Sequence, residues 1–164
     1  MIVPRVIPVL LLRGRGLYKT VKFKDPAYVG DPMNTIRLFN EKEANEIMVL
    51  DIGATAENRG PNFEFLEDLA SECFMPFAYG GGITTIEQIK KLFFLGAEKA
   101  VLNASAFEQP DLVGESHLVQ RIVIGVEHAV GARRVRRHDP VMAAAYGRYR
   151  TGGTADRRFT EFGS

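Results

Sequence analysis

The sequence predicts an α/β fold built on a parallel sheet, and three observations carry that prediction. Short apolar runs alternate with amphipathic stretches of helical period along residues 6–126. The later runs end at Asp51, Gly80, Asn103 and Glu127, spaced by 29, 23 and 24 residues, the period of repeated βα units. One run opens through Gly80, Gly81 and Gly82 straight into a helical pattern.

Taken in order, residues 6–12 (VIPVLLL) read as a first strand, apolar enough to be buried on both faces. After an Arg-Gly-Arg-Gly turn, residues 17–23 alternate as one hairpin arm, broken by Asp25-Pro26 and Gly30-Asp31-Pro32. Asp31 caps a helix with Pro32 at its first position, running to about Asn45. Residues 47–52 (IMVLDI) are the second strand, ending in the carboxylate Asp51. A polar loop then leads to a helix over 61–73 with Phe63, Leu66 and Ala70 on one face. Residues 74–79 form the third strand. Thr84 and Glu87 have the spacing of a capping box, and the following helix stops at Gly96. Residues 99–103 are the fourth strand, 109–118 a helix, and 121–126 a fifth strand with Glu127 at its end.

Composition sets the bounds. A chain of 164 residues with 46% hydrophobic and 25% charged residues suffices for one domain with a core. A single cysteine, Cys73, forms no internal disulfide and fits a reducing, cytoplasmic setting. No 18-residue apolar run is present, and residues 1–12 lack the basic lead and cleavage pattern of a signal peptide. Net charge is +1, so no membrane or nucleic-acid partner is expected. Residues 1–113 hold all seven lysines, whereas residues 114–164 hold nine arginines, no lysine and all three histidines. That change separates residues 1–128 from an irregular, Arg-rich stretch over 129–164.

Right-handed crossovers place the loops after parallel strands on one face of the sheet. Asp51, the glycines, Asn103 and Glu127 therefore share that face. Glycine lets an anion approach backbone N–H groups, and a helix N-terminus adds free donors and partial positive charge. The arrangement reads as a phosphate seat beside two carboxylates and an amide. A tight strand-to-helix turn explains the glycines alone, but not their polar neighbours.

The segments RVIPVLL, VKFKDPAYVGDP, VLDIGAT, PFAYGGGITT, EKAVLNASA and QRIVIGVE resemble the cyclase subunit of imidazole glycerol phosphate synthase, the HisF family. Its fold is an eight-fold βα barrel, the TIM barrel. VKFKDP, YVGDP and SECFMP are closest to the family's second-copy branch, found in surface-polysaccharide gene clusters. The resemblance covers about residues 4–127. It implies a (β/α)8 barrel truncated to its first half, with four to five βα units over residues 1–128 and the divergent stretch 129–164 outside it.

By the same resemblance, Lys19, Asp51, Gly81, Gly82, Asn103 and Ala104 match substrate- and phosphate-binding positions. Glu127 matches one catalytic carboxylate. The other, at the end of the first strand, falls on Leu11, which cannot transfer a proton. Arg5, Glu46 and Lys99 match the charged gate through which a glutaminase partner delivers ammonia. No cofactor or metal is implied. The expected activity is a lyase of histidine biosynthesis that uses this ammonia to form imidazole glycerol phosphate from a phosphorylated substrate, impaired here by truncation and by Leu11. Two alternatives stand beside it. One is an ammonia-channelling subunit for sugar amidation in surface-polysaccharide biosynthesis; the other is a non-catalytic fragment.

Overall fold

The computed structural model describes residues 6–21, 24–109, 112–113 and 122–124. Seven strands form one sheet: β1 (Val9–Arg13), β2 (Gly16–Val21), β3 (Lys24–Gly30), β4 (Ile47–Asp51), β5 (Phe77–Gly80), β6 (Lys99–Leu102) and β7 (Ile122–Ile124). Among the described residues they are accompanied by the helices α1 (Pro32–Glu41), α2 (Phe63–Glu72), α3 (Ile86–Phe94) and α4 (Ala104–Glu108), and Leu112 and Val113 are also helical. The spatial order is β3-β2-β1-β4-β5-β6-β7. The neighbouring pairs β1–β4, β4–β5, β5–β6 and β6–β7 are parallel, whereas β1–β2 and β2–β3 pair antiparallel at the β1 edge.

The parallel strands follow chain order without a reversal. Right-handed crossovers then carry the intervening helices to the same face, as in a barrel wall and unlike a doubly wound sheet. Burial follows this division. In β4, Ile47, Val49 and Asp51 are buried while Met48 and Leu50 are half-buried; in β6, Ala100 and Leu102 are buried while Lys99 and Val101 are half-buried. The buried face packs with Ile36, Phe65, Leu66, Leu69, Ile89 and Leu92, which the helices turn inward to make the core.

Local sequence sets most element boundaries. Asp31 caps α1 by accepting the Asn34 N–H at 2.9 Å, with Pro32 in the first turn. Asn62 caps α2 through the Phe65 N–H at 3.2 Å. Arg37 grips Glu72 through two nitrogens at 3.0 and 2.9 Å, and Asn40 donates to the Glu72 carbonyl at 2.7 Å, tying α1 to the end of α2.

Several expectations shift. β1 begins at Val9, leaving Val6 exposed before Pro8. The hairpin has a second arm, β3, which contains the Asp25-Pro26 expected to break it. Proline lacks an N–H, but an exposed edge strand with register shifts accommodates it. α1 ends at Glu41, ahead of the positive-φ Glu43. β5 starts at Phe77, three residues later than the apolar run implied, because Phe74 to Pro76 form a connector with Phe74 84% exposed. The capping box uses Thr85 and Gln88, one residue beyond Thr84 and Glu87. A five-residue helix, α4, directly follows Asn103, ahead of the stretch expected to be helical. Among the described residues no helix is long and apolar enough to cross a membrane. Residues 129–164 lie outside the described residues.

Candidate functional site

Strand register fixes what faces what. On the half-buried face, Leu11, Leu50, Gly80 and Val101 stand side by side across β1, β4, β5 and β6 near their carboxyl ends. A Cβ built on Gly80 would lie 2.8 Å from the Val101 Cβ and 3.0 Å from Leu50 Cδ2. The space at Gly80 is therefore tight, and none of these four residues carries an acid. One layer toward the amino ends stand Val9, Met48, Ala78 and Lys99.

Lys99 finds its partner there. Glu46, two residues before Met48, turns the same way, and its carboxylate accepts from the Lys99 ammonium. The Glu46 side chain is 4% exposed and that of Lys99 30%. Taking a carboxylate out of water costs several kcal/mol unless it is paired. Among the described residues Lys99 meets that cost. Arg5, the third expected member of this group, lies outside the described residues.

At the carboxyl ends the loop after β4 is organised around Asp51. Its side chain, 1% exposed, accepts the Gly53 and Ala54 N–H groups at 3.0 and 3.1 Å. Arg59 reaches back from the far end of the same loop and donates to both carboxylate oxygens, at 2.7 and 3.0 Å. Its Nε donates to Glu57 at 2.7 Å. Two anions hold the Arg59 guanidinium more firmly protonated than usual, Asp51 foremost. The hydrogen bond from Arg59 holds the Glu57 carboxyl below its ordinary value. Asp51 is thus the keystone of a closed loop, with both oxygens engaged.

The glycine turn packs directly on this loop. Gly81 has φ +118°, and a Cβ there would stand 2.4 Å from the Asp51 carbonyl oxygen. Gly82 has φ +68°, and a Cβ there would stand 2.3 Å from the Arg59 carbonyl oxygen. Only glycine meets both the left-handed backbone and the contact. Gln88 joins the two loops: its Oε1 accepts the Thr84 and Thr85 N–H groups at 2.7 and 3.2 Å, and its amide nitrogen lies against Gly60. On the next strand Asn103 is half-buried and Ala104 exposed, at the start of α4.

Asp51, Gly81, Gly82, Asn103 and Ala104 therefore share the carboxyl-end side of adjacent parallel strands. Backbone groups and an amide side chain at such a place can hold an anionic group. Lys19 lies in the exposed β2 arm of the hairpin beyond β1. Leu11 occupies the expected first-strand position, facing the same side as Leu50 and Val101. Glu127 lies three residues beyond β7 and outside the described residues. Sequence reading missed Arg59, a lone arginine in a loop taken as merely polar. Its only signal was a guanidinium eight residues after a strand-end aspartate, within reach of a folded-back loop.

Comparison with known proteins adds the following. The family described as histidine biosynthesis protein is matched by residues 5–151. A Pseudomonas aeruginosa relative named "Putative imidazole glycerol phosphate synthase subunit hisF2" is 56% identical over 109 residues, 66% of this chain and 43% of that protein. The hisF3 protein of Vibrio vulnificus, named in the same way, is 49% identical over 118 residues, 72% of this chain and 45% of its own length. The imidazole glycerol phosphate synthase subunit HisF of Nitratidesulfovibrio vulgaris is 38% identical over 130 residues, 77% and 50% respectively. The chain spans about half the length of the curated relatives it matches.

Proposed function

Because the chain belongs to the histidine biosynthesis protein family of (β/α)8 barrels, we propose that it serves as the ammonia-using subunit of a glutaminase-coupled synthase of the imidazole glycerol phosphate synthase kind. The observation that carries this reading is the Glu46–Lys99 pair. Structural ion pairs usually lie at the surface, where they cost little. This one sits on the half-buried sheet face at the amino ends, opposite the substrate loops, with its carboxylate almost wholly removed from water. A charged pair there can open to pass a small polar molecule and close behind it.

At the other end of the strands, Gly81, Gly82, Asn103 and Ala104 would hold a phosphate of the substrate, with Lys19 brought in on the hairpin. In this reading ammonia attacks a phosphoribosyl-formimino carboxamide nucleotide. Bond cleavage and ring closure then give imidazole glycerol phosphate and an aminoimidazole carboxamide nucleotide. Carboxylates acting as general acid and base would move the protons. Glu127 is the candidate for one of them; the first-strand position is Leu11, so its half of the exchange is impaired. The protein would act in the cytoplasm beside its glutaminase.

Leu11 favours a second reading. A subunit that delivers ammonia for amidation of a sugar nucleotide in surface-polysaccharide biosynthesis has no need of an acid at that position, yet keeps the gate and the phosphate seat.

The test pairs the full chain with the glutaminase subunit encoded in the same genome and follows nitrogen from amide-labelled glutamine. Label is expected in a product, at a rate that falls at least tenfold in Lys99→Met with glutamine while free ammonium still supports turnover. Label in imidazole glycerol phosphate selects the first reading, and label in an amidated sugar the second. A chain that neither binds the glutaminase nor accepts its ammonia would sink both.

A further inference from the structure

We propose that Arg59 is the positioning residue of the anion seat, holding Gly81 and Gly82 in place through Asp51 without touching the ligand itself. The inference rests on the reading of those glycines as a phosphate seat, and adds a residue that this reading does not use. All three guanidinium nitrogens face carboxylates: NH1 and NH2 the two oxygens of Asp51, and Nε Glu57. Three of its five N–H donors are thereby spent, and the two carboxylates already offset its charge. The backbone of the same residue closes the loop, its N–H donating to the Ala54 carbonyl at 2.9 Å. Its own carbonyl oxygen is the atom that a Gly82 Cβ would meet at 2.3 Å, and the Asp51 carbonyl oxygen is the one that a Gly81 Cβ would meet at 2.4 Å.

The seat glycines thus rest on the two residues that the ion pair joins. Asp51 belongs to β4 and is fixed by the sheet; Arg59 is eight residues away on a loop with no strand of its own. Without the fork, Asp51 keeps its two backbone donors, but the far end of the loop loses its anchor. The carbonyl that faces Gly82 is then free to drift. Lysine offers one point of charge and cannot span both Asp51 oxygens and Glu57 together.

The experiment titrates the full chain with inorganic phosphate and follows the backbone amide signals of Gly81 and Gly82 by NMR at several salt concentrations. Arg59→Gln is expected to weaken phosphate binding by roughly tenfold with an unchanged salt dependence, because no direct ionic contact is lost. Arg59→Lys is expected to remain close to Arg59→Gln. Glu57→Gln, at a more exposed position that does not threaten folding, is expected to weaken binding by roughly two- to threefold. Ile36→Val, a mild truncation in the α1 core, is expected to leave affinity unchanged. Three results overturn the inference while leaving the seat intact: wild-type affinity in Arg59→Gln, a flattened salt dependence, or an equal loss in Ile36→Val. Absence of any phosphate-dependent shift at Gly81 and Gly82 in the wild-type chain overturns the seat, and the inference with it.

Discussion

The Lys99 ammonium is bound to a Glu46 carboxylate that lies 53 positions earlier in the chain and is only 4% exposed. The two reach each other because β4 and β6 flank β5 in parallel register, with Met48 beside Ala78 and Ala78 beside Lys99. The partners do not share the cost of burial equally. Lysine keeps about a third of its side chain in solvent and can turn outward when its partner is lost; the carboxylate cannot.

The asymmetry predicts unequal single-variant effects. Lys99→Met strands a buried charge and should cost about 2–4 kcal/mol. Glu46→Gln leaves an ammonium that finds water, and should cost about 1 kcal/mol. The double variant should be more stable than Lys99→Met alone. Urea denaturation of the four proteins in a double-mutant cycle checks this, and equal single-variant losses would contradict the burial argument.

Tyr79 offers a second test. Its side chain is buried on the helix-facing side of β5, and its hydroxyl has no hydrogen-bond partner among the described residues. Burial, and then the nearby Asp51 charge, push the phenol well above its ordinary value of 10.0. The native state therefore keeps this proton where the unfolded chain has lost it. Stability from this group is whole below pH 10 and declines as pH rises further. Tyr79→Phe removes an unsatisfied polar atom and should stabilise the protein by about 1 kcal/mol at pH 7. It should also flatten the fall in thermal midpoint above pH 10. A loss of stability in Tyr79→Phe would mean that the hydroxyl is doing something the geometry does not show.

What could be read from sequence, and what could not, divides along physical lines. The parallel strands were legible because buried strands need near-continuous apolar runs and their connecting helices impose a regular spacing. Asp31 and Pro32 announced α1 by local capping chemistry alone. Phe74 misled because an exposed phenylalanine in a connector is indistinguishable, in sequence, from the first residue of a strand. β3 was missed because proline argues against a strand unless its N–H would face solvent, and only the sheet order reveals that edge. In the candidate site, the glycines stood out as a turn or an anion seat. Their contact with the Asp51 and Arg59 carbonyls depends on how two loops meet and has no local signature.

That contact makes Gly82→Ala a sharp test of the loop geometry. The left-handed φ alone costs an alanine about 1–2 kcal/mol, and the Arg59 carbonyl must move to admit a Cβ. A total loss of about 2–4 kcal/mol is expected. Gly96→Ala provides the comparison, since its φ is +104° but nothing lies within 4 Å of an added Cβ. Gly82→Ala should be the more damaging of the two by thermal unfolding. Equal losses would show that backbone strain alone, and not the packing of the two loops, sets the cost.

Packing and catalysis make different demands on Leu11. It is half-buried beside Leu50 in a layer that continues through Gly80 and Val101 to Val123. Leu11→Met nearly conserves volume and should cost less than about 1.5 kcal/mol. Leu11→Asp places a carboxylate among aliphatic groups, and should cost about 1–3 kcal/mol at pH 7. Desolvation raises the folded-state pKa of such an acid above its unfolded value. The cost should therefore be full at neutral pH and should shrink as pH falls through the folded-state value. Chemical denaturation at pH 7 and pH 4 measures both effects. If the chain transfers ammonia without cyclisation, Leu11→Met should leave turnover with free ammonium unchanged within twofold, since the leucine then serves the layer and not the reaction. A penalty for Leu11→Asp that did not depend on pH would mean that this face is fully hydrated, and the register-built apolar layer would have to be abandoned.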